Sequence, residues 1–131
     1  MYEVGFRREL VSYHYMIDGD FGEENELHSH RFTVEAVLAG SELNGYGFLV
    51  DIDDVQAAME GIAARYEDRT LNDLPEFSGA NPSLERFCRA WCDRLRQRLR
   101  AQTVKRITVR IWESEDAFAA YTDESGCASA S

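Results

Sequence analysis

The chain is poor in the residues that staple, divide or anchor a structure. Its three cysteines, Cys88, Cys92 and Cys127, are odd in number and unsuited to a disulfide framework, which agrees with a reducing compartment. It has two prolines and no Pro- or Gly-rich run to divide its 131 residues, so one domain is expected over 1–122, with a short flexible tail at 123–131. No apolar stretch approaches the roughly 20 residues that cross a bilayer. The start, Met1 to Leu10, carries Glu3, Arg7, Arg8 and Glu9 and lacks the apolar centre of a secretion signal. A soluble cytoplasmic protein without a membrane partner is the expectation. Lysine is also scarce, with Lys105 the only one, and 24 acidic residues against 14 basic give a formal net charge of -10. A nucleic-acid surface needs clustered Lys or Arg, so no nucleic-acid partner is expected.

Histidine is equally rare, and what is present is concentrated. Two of the three histidines, His28 and His30, stand two residues apart in Leu27-His28-Ser29-His30. On a strand, side chains alternate faces, so both project from one side and can close on one ion. The third, His14, ends an earlier segment of alternating apolar character. If the two segments pair, three imidazoles converge, leaving a tetrahedral zinc with one open position, the catalytic rather than the closed structural arrangement.

From Val4 to Met16 the even positions read Val, Phe, Arg, Leu, Ser, His, Met, an imperfect alternation that suits a half-buried strand ending near His14. Asp18 to Glu26 is an acidic, glycine-containing loop that returns the chain antiparallel. From His28 to Leu38 the even side reads His, His, Phe, Val, Ala, Leu, so the histidines continue the core face of their strand. Asn44-Gly45 and Gly47 mark a turn, and Phe48 to Val50 a short extended piece. Ile52, Val55, Met59, Ile62 and Tyr66 repeat at helical spacing behind Asp51, Asp53 and Asp54. Leu84, Phe87, Cys88, Trp91, Leu95 and Leu99 do the same after Asn81-Pro82-Ser83, with Asn or Ser as cap and Pro in the first turn. Cys88 and Cys92 then fall on an apolar helix face and read as core packing. Arg106 to Glu113 alternates with a period of two, Ser114-Glu115-Asp116 turns, and Ala117 to Tyr121 forms a last strand. Strand, strand, helix, helix, strand, strand describes an α+β layer, two helices on one face of a four-stranded antiparallel sheet.

Six pieces then fall in the order of a known family: Ser12-Tyr13-His14, His28-Ser29-His30-Arg31-Phe32, Phe48-Leu49-Val50-Asp51-Ile52, Leu71-Asn72-Asp73, Asn81-Pro82-Ser83-Leu84-Glu85 and Val109-Arg110-Ile111-Trp112-Glu113. From Val4 to Tyr121 the chain resembles the 6-pyruvoyltetrahydropterin and 6-carboxytetrahydropterin synthase superfamily. The resemblance implies a tunnelling fold, in which subunit sheets join into an oligomeric barrel, commonly a hexamer made as a dimer of trimers. It implies Zn2+ on His14, His28 and His30, and a pterin substrate anchored by Glu113. A carboxylate suits that role because it accepts two parallel hydrogen bonds, from a ring N–H and the exocyclic amino group. Ser83 falls where the family has a threonine near the pterin; its competing reading is the helix cap.

At both proton-transfer positions the sequence departs from the family. Where the family has a cysteine, four residues before the first histidine of His-x-His, this chain has Glu24, with Glu23 the alternative if the acidic loop shifts by one. Where the family has an Asp-His pair before Leu-Asn-Asp, this chain has Glu67-Asp68. Three functions stay open. One is cleavage of the side chain of a reduced pterin such as dihydroneopterin triphosphate, with Glu24 as general base and Asp68 or Glu67 as its partner, a folate-type reaction. Another is triphosphate elimination to a pyruvoyl or carboxy pterin, as in tetrahydrobiopterin or queuosine synthesis. The third is a pterin- or purine-binding paralogue without turnover. Glu23, Glu24 and Glu26 repel a triphosphate unless arginines such as Arg31 or Arg69 offset them, which keeps a substrate with fewer phosphates open.

Overall fold

The computed structural model describes residues 1–126, so Cys127 and the end of the expected tail lie outside the described residues. Four strands, β1 (Tyr2–His14), β2 (His28–Gly40), β3 (Arg106–Trp112) and β4 (Phe118–Asp123), form one antiparallel sheet in the order β1-β2-β3-β4. Two helices, α1 (Ile52–Tyr66) and α2 (Leu84–Arg98), lie on one face, α1 over β1 and α2 over β3 and β4. The expected α+β layer is the observed one.

The even face of β1 turns toward the helices, and its two breaks in apolar pattern have local reasons. The Ser12 hydroxyl is buried and donates to the carbonyls of Tyr66 and Arg69 at 2.9 and 3.0 Å, pinning β1 to the end of α1. Arg8 is half-buried and reaches Glu60 and Glu67 at 3.0 and 3.2 Å. On β2, Phe32, Val34, Ala36 and Leu38 are all buried, and on β3 Ile107, Val109 and Ile111 are. These side chains meet Val55, Met59, Ile62 and Tyr66 of α1 and Phe87, Trp91 and Leu95 of α2 in one core. Cys88 and Cys92 belong to that core. Burial pushes both thiols up to about 12, so neither is a nucleophile at neutral pH.

Two stretches differ from the sequence expectation. Phe48 to Val50 forms no strand: its apolar pattern comes from Leu49 and Val50 inserting as buried plugs, with the Leu49 carbonyl held by the Thr103 hydroxyl. The final strand runs on through Asp123, one residue into the stretch that composition assigns to a tail. Arg96 of α2 holds the Asp123 carboxylate and carbonyl, each at 3.2 Å, so a tertiary contact orders a polar segment. Among the described residues, no helix is long and apolar enough to cross a membrane.

Candidate metal centre and adjoining cavity

Residues from the ends of several elements collect at one end of the helix-covered face. The β1–β2 register sets His14 directly opposite His28 and Ser12 opposite His30, so the three imidazoles occupy adjacent positions of one face. Their ring centroids are 4.5, 5.2 and 4.9 Å apart for His14–His28, His14–His30 and His28–His30, and Phe32 packs against His14 and His30 at 6.0 and 5.5 Å. One nitrogen from each ring lies within 4.8 Å of the others. Tetrahedral zinc sets its nitrogens about 3.3 Å apart, so a small side-chain adjustment closes the triad.

Two observations test whether the triad suits a cation. The His14 Nδ1 is 3.1 Å from the Pro82 carbonyl and the His28 Nδ1 is 2.8 Å from the Glu26 carbonyl. Each backbone oxygen can only accept, so each Nδ1 carries the proton and each Nε2 is left with a free lone pair, the second-shell pattern of metal-bound histidine. The His28 Nε2 is buried and has no hydrogen-bond partner. An unpaired buried acceptor costs about 1–3 kcal/mol, and an ion shared with its neighbours removes that cost. His14 titrates below the ordinary histidine range, chiefly because it is buried, against the opposing bond to Pro82 and with help from the two neighbouring histidines. A neutral imidazole is the ligand form. The residues present fit zinc.

Glu113 reaches the same end by the same rule. It follows Ile107, Val109 and Ile111 on the odd, helix-facing side of β3, and the turn that holds it is closed by its N–H to the Ala117 carbonyl at 3.2 Å. Ser83 caps α2, its hydroxyl accepting from the Arg86 N–H at 3.2 Å, and it also lines the cavity that His14 borders. Pro82 stands just outside the helix rather than in its first turn, which frees its carbonyl for His14. Glu24 lies on a 3-10 turn, Gly22–Asn25, within the loop read as irregular.

His14, Met16, Glu24, Ser83, Glu85 and Glu113 line one open cavity of about 530 Å³, together with residues 117–120. That volume suits a small heterocycle. Two other cavities of similar size, one beside Arg98 and one beside Arg31, are lined by no histidine among the described residues. Glu23 is not among the lining residues, so Glu24 is the loop carboxylate that shares this cavity with His14. Glu85 is a site residue the sequence reading missed: in the first turn of a helix, an acid reads as a complement to the dipole.

Glu67 and Asp68 are not in this cavity. They flank the outer edge of β1, where the Asp68 N–H donates to the Val11 carbonyl at 2.8 Å and the Tyr13 N–H to the Arg69 carbonyl at 2.9 Å. Glu67 is engaged with Arg8, while Asp68 is exposed and held at a φ of 58°. Arg31 also lies away from the cavity, on the open face of the sheet, 3.8 Å from Glu9.

Fold and site together define a class: an α+β domain whose sheet end carries a three-histidine centre beside an acid-lined pocket. The family model described as 6-pyruvoyl tetrahydropterin synthase matches residues 3–124, and the chain belongs to that family. It is 28% identical over 94 residues to a dihydroneopterin monophosphate aldolase of Pyrococcus furiosus, covering 72% of this chain and 76% of that protein. It is 29% identical over 77 residues to the 6-carboxy-5,6,7,8-tetrahydropterin synthase of Bacillus subtilis, covering 59% of this chain and 51% of that one. The 6-pyruvoyltetrahydropterin synthase of Plasmodium vivax, solved with a catalytic glutamate replaced by cysteine, superposes with a TM-score of 0.75 at 13% identity over 95% of this chain and 99% of that one. At that identity the match speaks for the fold alone.

Proposed function

We propose that the chain is a zinc-dependent lyase that cleaves the side chain of a reduced pterin, with Glu24 as general base. The observation that carries this reading is the unpaired, buried His28 Nε2 inside a histidine triad whose His14 lines a cavity with Glu24 and Glu113. His14, His28 and His30 hold the ion, which when bound polarises the substrate's side-chain oxygens and eases loss of their protons.

The remaining roles follow from the lining. Glu113 accepts hydrogen bonds from the pterin ring N–H and amino group, and Glu85, in the same lining, offers a second acceptor for that edge. Ser83 closes the pocket from the α2 end. Glu24 takes the proton of the side-chain hydroxyl one carbon removed from the ring-bearing carbon. The bond between the hydroxyl-bearing carbon and the ring-bearing carbon breaks: the deprotonated oxygen becomes the carbonyl of the departing aldehyde, the electron pair of the broken bond passes to the ring system, and the same carboxyl returns the proton to the carbon left on the ring.

The lining contains Glu24, Glu85 and Glu113 and neither Lys nor Arg. A triphosphate tail meets net repulsion there, and a monophosphate less. The name of the Pyrococcus furiosus relative, a monophosphate aldolase, supports the same substrate class, as does the catalytic glutamate of the Plasmodium vivax enzyme for a carboxylate base on this fold.

The proposal includes a homo-oligomer, with a hexamer as the expected assembly. β1 and β4 are the two edge strands, and pairing β4 of one copy with the open part of β1 in the next leaves no edge exposed. In such a ring, Asp68 of the neighbouring copy lies at the same end as Phe118, on the rim of the cavity, where it can serve as the second proton carrier. Its engagement with Arg8 makes Glu67 the weaker candidate for that role.

The test is incubation of zinc-loaded protein with dihydroneopterin bearing one or three phosphates, with products identified by mass. A 6-hydroxymethyl pterin supports cleavage. A pyruvoyl or carboxy pterin overturns it in favour of elimination, and binding without conversion marks a non-catalytic paralogue.

A further inference from the structure

Between His14 and the loop that carries Glu24 run three residues, Tyr15, Met16 and Ile17, which belong to no strand of the sheet yet are bonded as if they did. The Asn72 side chain accepts from the Tyr15 N–H at 3.0 Å and donates to the Tyr15 carbonyl at 2.9 Å, so a primary amide replaces one residue of a partner strand. Asn81 accepts from the Ile17 N–H at 2.6 Å. The intervening Met16 bonds to the opposite side: its N–H donates to the Glu24 carbonyl at 2.8 Å, and its carbonyl accepts from the Asn25 side chain at 3.0 Å. Successive backbone groups of an extended segment point to opposite sides. The asparagines therefore set the direction in which Met16 presents its groups to the Glu24 loop.

The segment Asn81-Pro82-Ser83 also reaches the histidines. Asn81 grips Ile17, Pro82 offers its carbonyl to the His14 Nδ1, and Ser83 caps α2 and lines the cavity. Pro82 is buried and its ring fixes φ, so the spacing between the Ile17 anchor and the His14 anchor is rigid. Asn25 braces the loop from within, accepting from the Phe21 N–H at 2.7 Å and donating to the Gly19 carbonyl at 3.0 Å. Glu24 itself is exposed; its turn, Gly22–Asn25, is bonded to Met16, and beyond the turn the Glu26 carbonyl meets the His28 Nδ1 at 2.8 Å.

We propose that Asn72 and Asn81 are positioning residues that, acting through the backbone of residues 15–17, fix the Glu24 loop relative to His14. The consequence for turnover rests on the reading of Glu24 as the base; the mechanical link does not.

The two can be separated with zinc-loaded full-length Asn72→Ala, Asn81→Ala and Asn81→Asp. Aspartate keeps an acceptor for the Ile17 N–H, so it is the conservative variant. Hydrogen exchange read by mass spectrometry should speed up about tenfold or more across residues 15–26 in the alanine variants, the scale set by losing one anchoring hydrogen bond. β2 and β3 should exchange as in the parent, and zinc content should stay unchanged. Asn81→Asp should restore most of the lost protection. Where the parent turns over, kcat should fall about 10–100-fold in the alanine variants with KM moving far less. Faster exchange confined to residues 15–17 overturns the proposal, and so does loss of zinc alongside the loop. A parent without turnover overturns the lyase reading, while the exchange data still decide the mechanical claim.

Discussion

Two regions of this protein bury polar groups beside aromatic rings, and they settle them in opposite ways. In the helix layer, the Glu76 carboxylate accepts from Arg65 at 2.7 and 2.9 Å and from the Tyr66 hydroxyl at 2.7 Å, and lies 3.1 Å from Arg94. The indole N–H of Trp91 donates to the Met59 sulfur. At the sheet end, three imidazoles pack as closely as those rings do, yet the His28 Nε2 is left without a partner. A fully satisfied network holds elements together, whereas an unsatisfied acceptor in rigid surroundings is a place kept for something else.

Breaking each region should therefore give opposite signatures, and the largest effect is expected at the histidines. His28→Ala should abolish zinc binding, read as metal per chain by elemental analysis, while the metal-free protein keeps its stability within about 1–2 kcal/mol, because losing the Nδ1 bond to the Glu26 carbonyl is offset by removing the unpaired Nε2. A metal-free parent that unfolds more readily than expected, together with a variant that still binds zinc, would place the ion elsewhere. Glu24→Gln preserves size and removes basicity; kcat should fall roughly 10²–10⁴-fold with zinc content unchanged. Survival of turnover removes Glu24 from its assigned role. Glu113→Ala should weaken pterin binding by roughly 10–100-fold, the value of losing a charged hydrogen-bond acceptor, again without loss of metal.

The smallest effect is on the scaffold side, and it is a matter of pH. Hydrogen bonds from Arg65, opposed by partial burial and reinforced by Tyr66, hold the Glu76 carboxyl at about 2, down from 4.5. A depressed carboxylate contributes stability in full above its unfolded value, and that contribution disappears as pH falls through the folded one. The denaturation midpoint of the parent should drop between about pH 4.5 and pH 2 more steeply than that of Glu76→Gln. At neutral pH the variant should be less stable by about 1–3 kcal/mol and keep its zinc. A variant with the parent's acid profile would show that the network carries no net stabilisation.

Local pattern made the strands and helices legible. The period of two in β1, β2 and β3 and the Asn-Pro-Ser start of α2 are properties of neighbouring residues, and neighbouring residues decide them. The pairing of His28 with His30 on one face was legible for the same reason. Asn72 and Asn81 were not, because each bonds to a backbone group more than fifty positions away. Glu85 drew no site assignment of its own from the sequence, and Asp123 read as the beginning of a tail. In both cases the deciding contact, the cavity wall for one and Arg96 for the other, comes from a distant element.

Sequence alone determined that His28 and His30 share a strand face, that β1 ends at the third histidine, and that cysteine is missing where the resembled family places one. Alternation and composition are enough for that. Which carboxylate of the acidic loop shares a cavity with His14, and that Glu113 lines the same cavity while Glu67 and Asp68 do not, was decided by the tertiary structure. Register across the sheet and the anchoring of residues 15–17 by side chains from the α1–α2 connection fix those distances, and no local pattern carries that information.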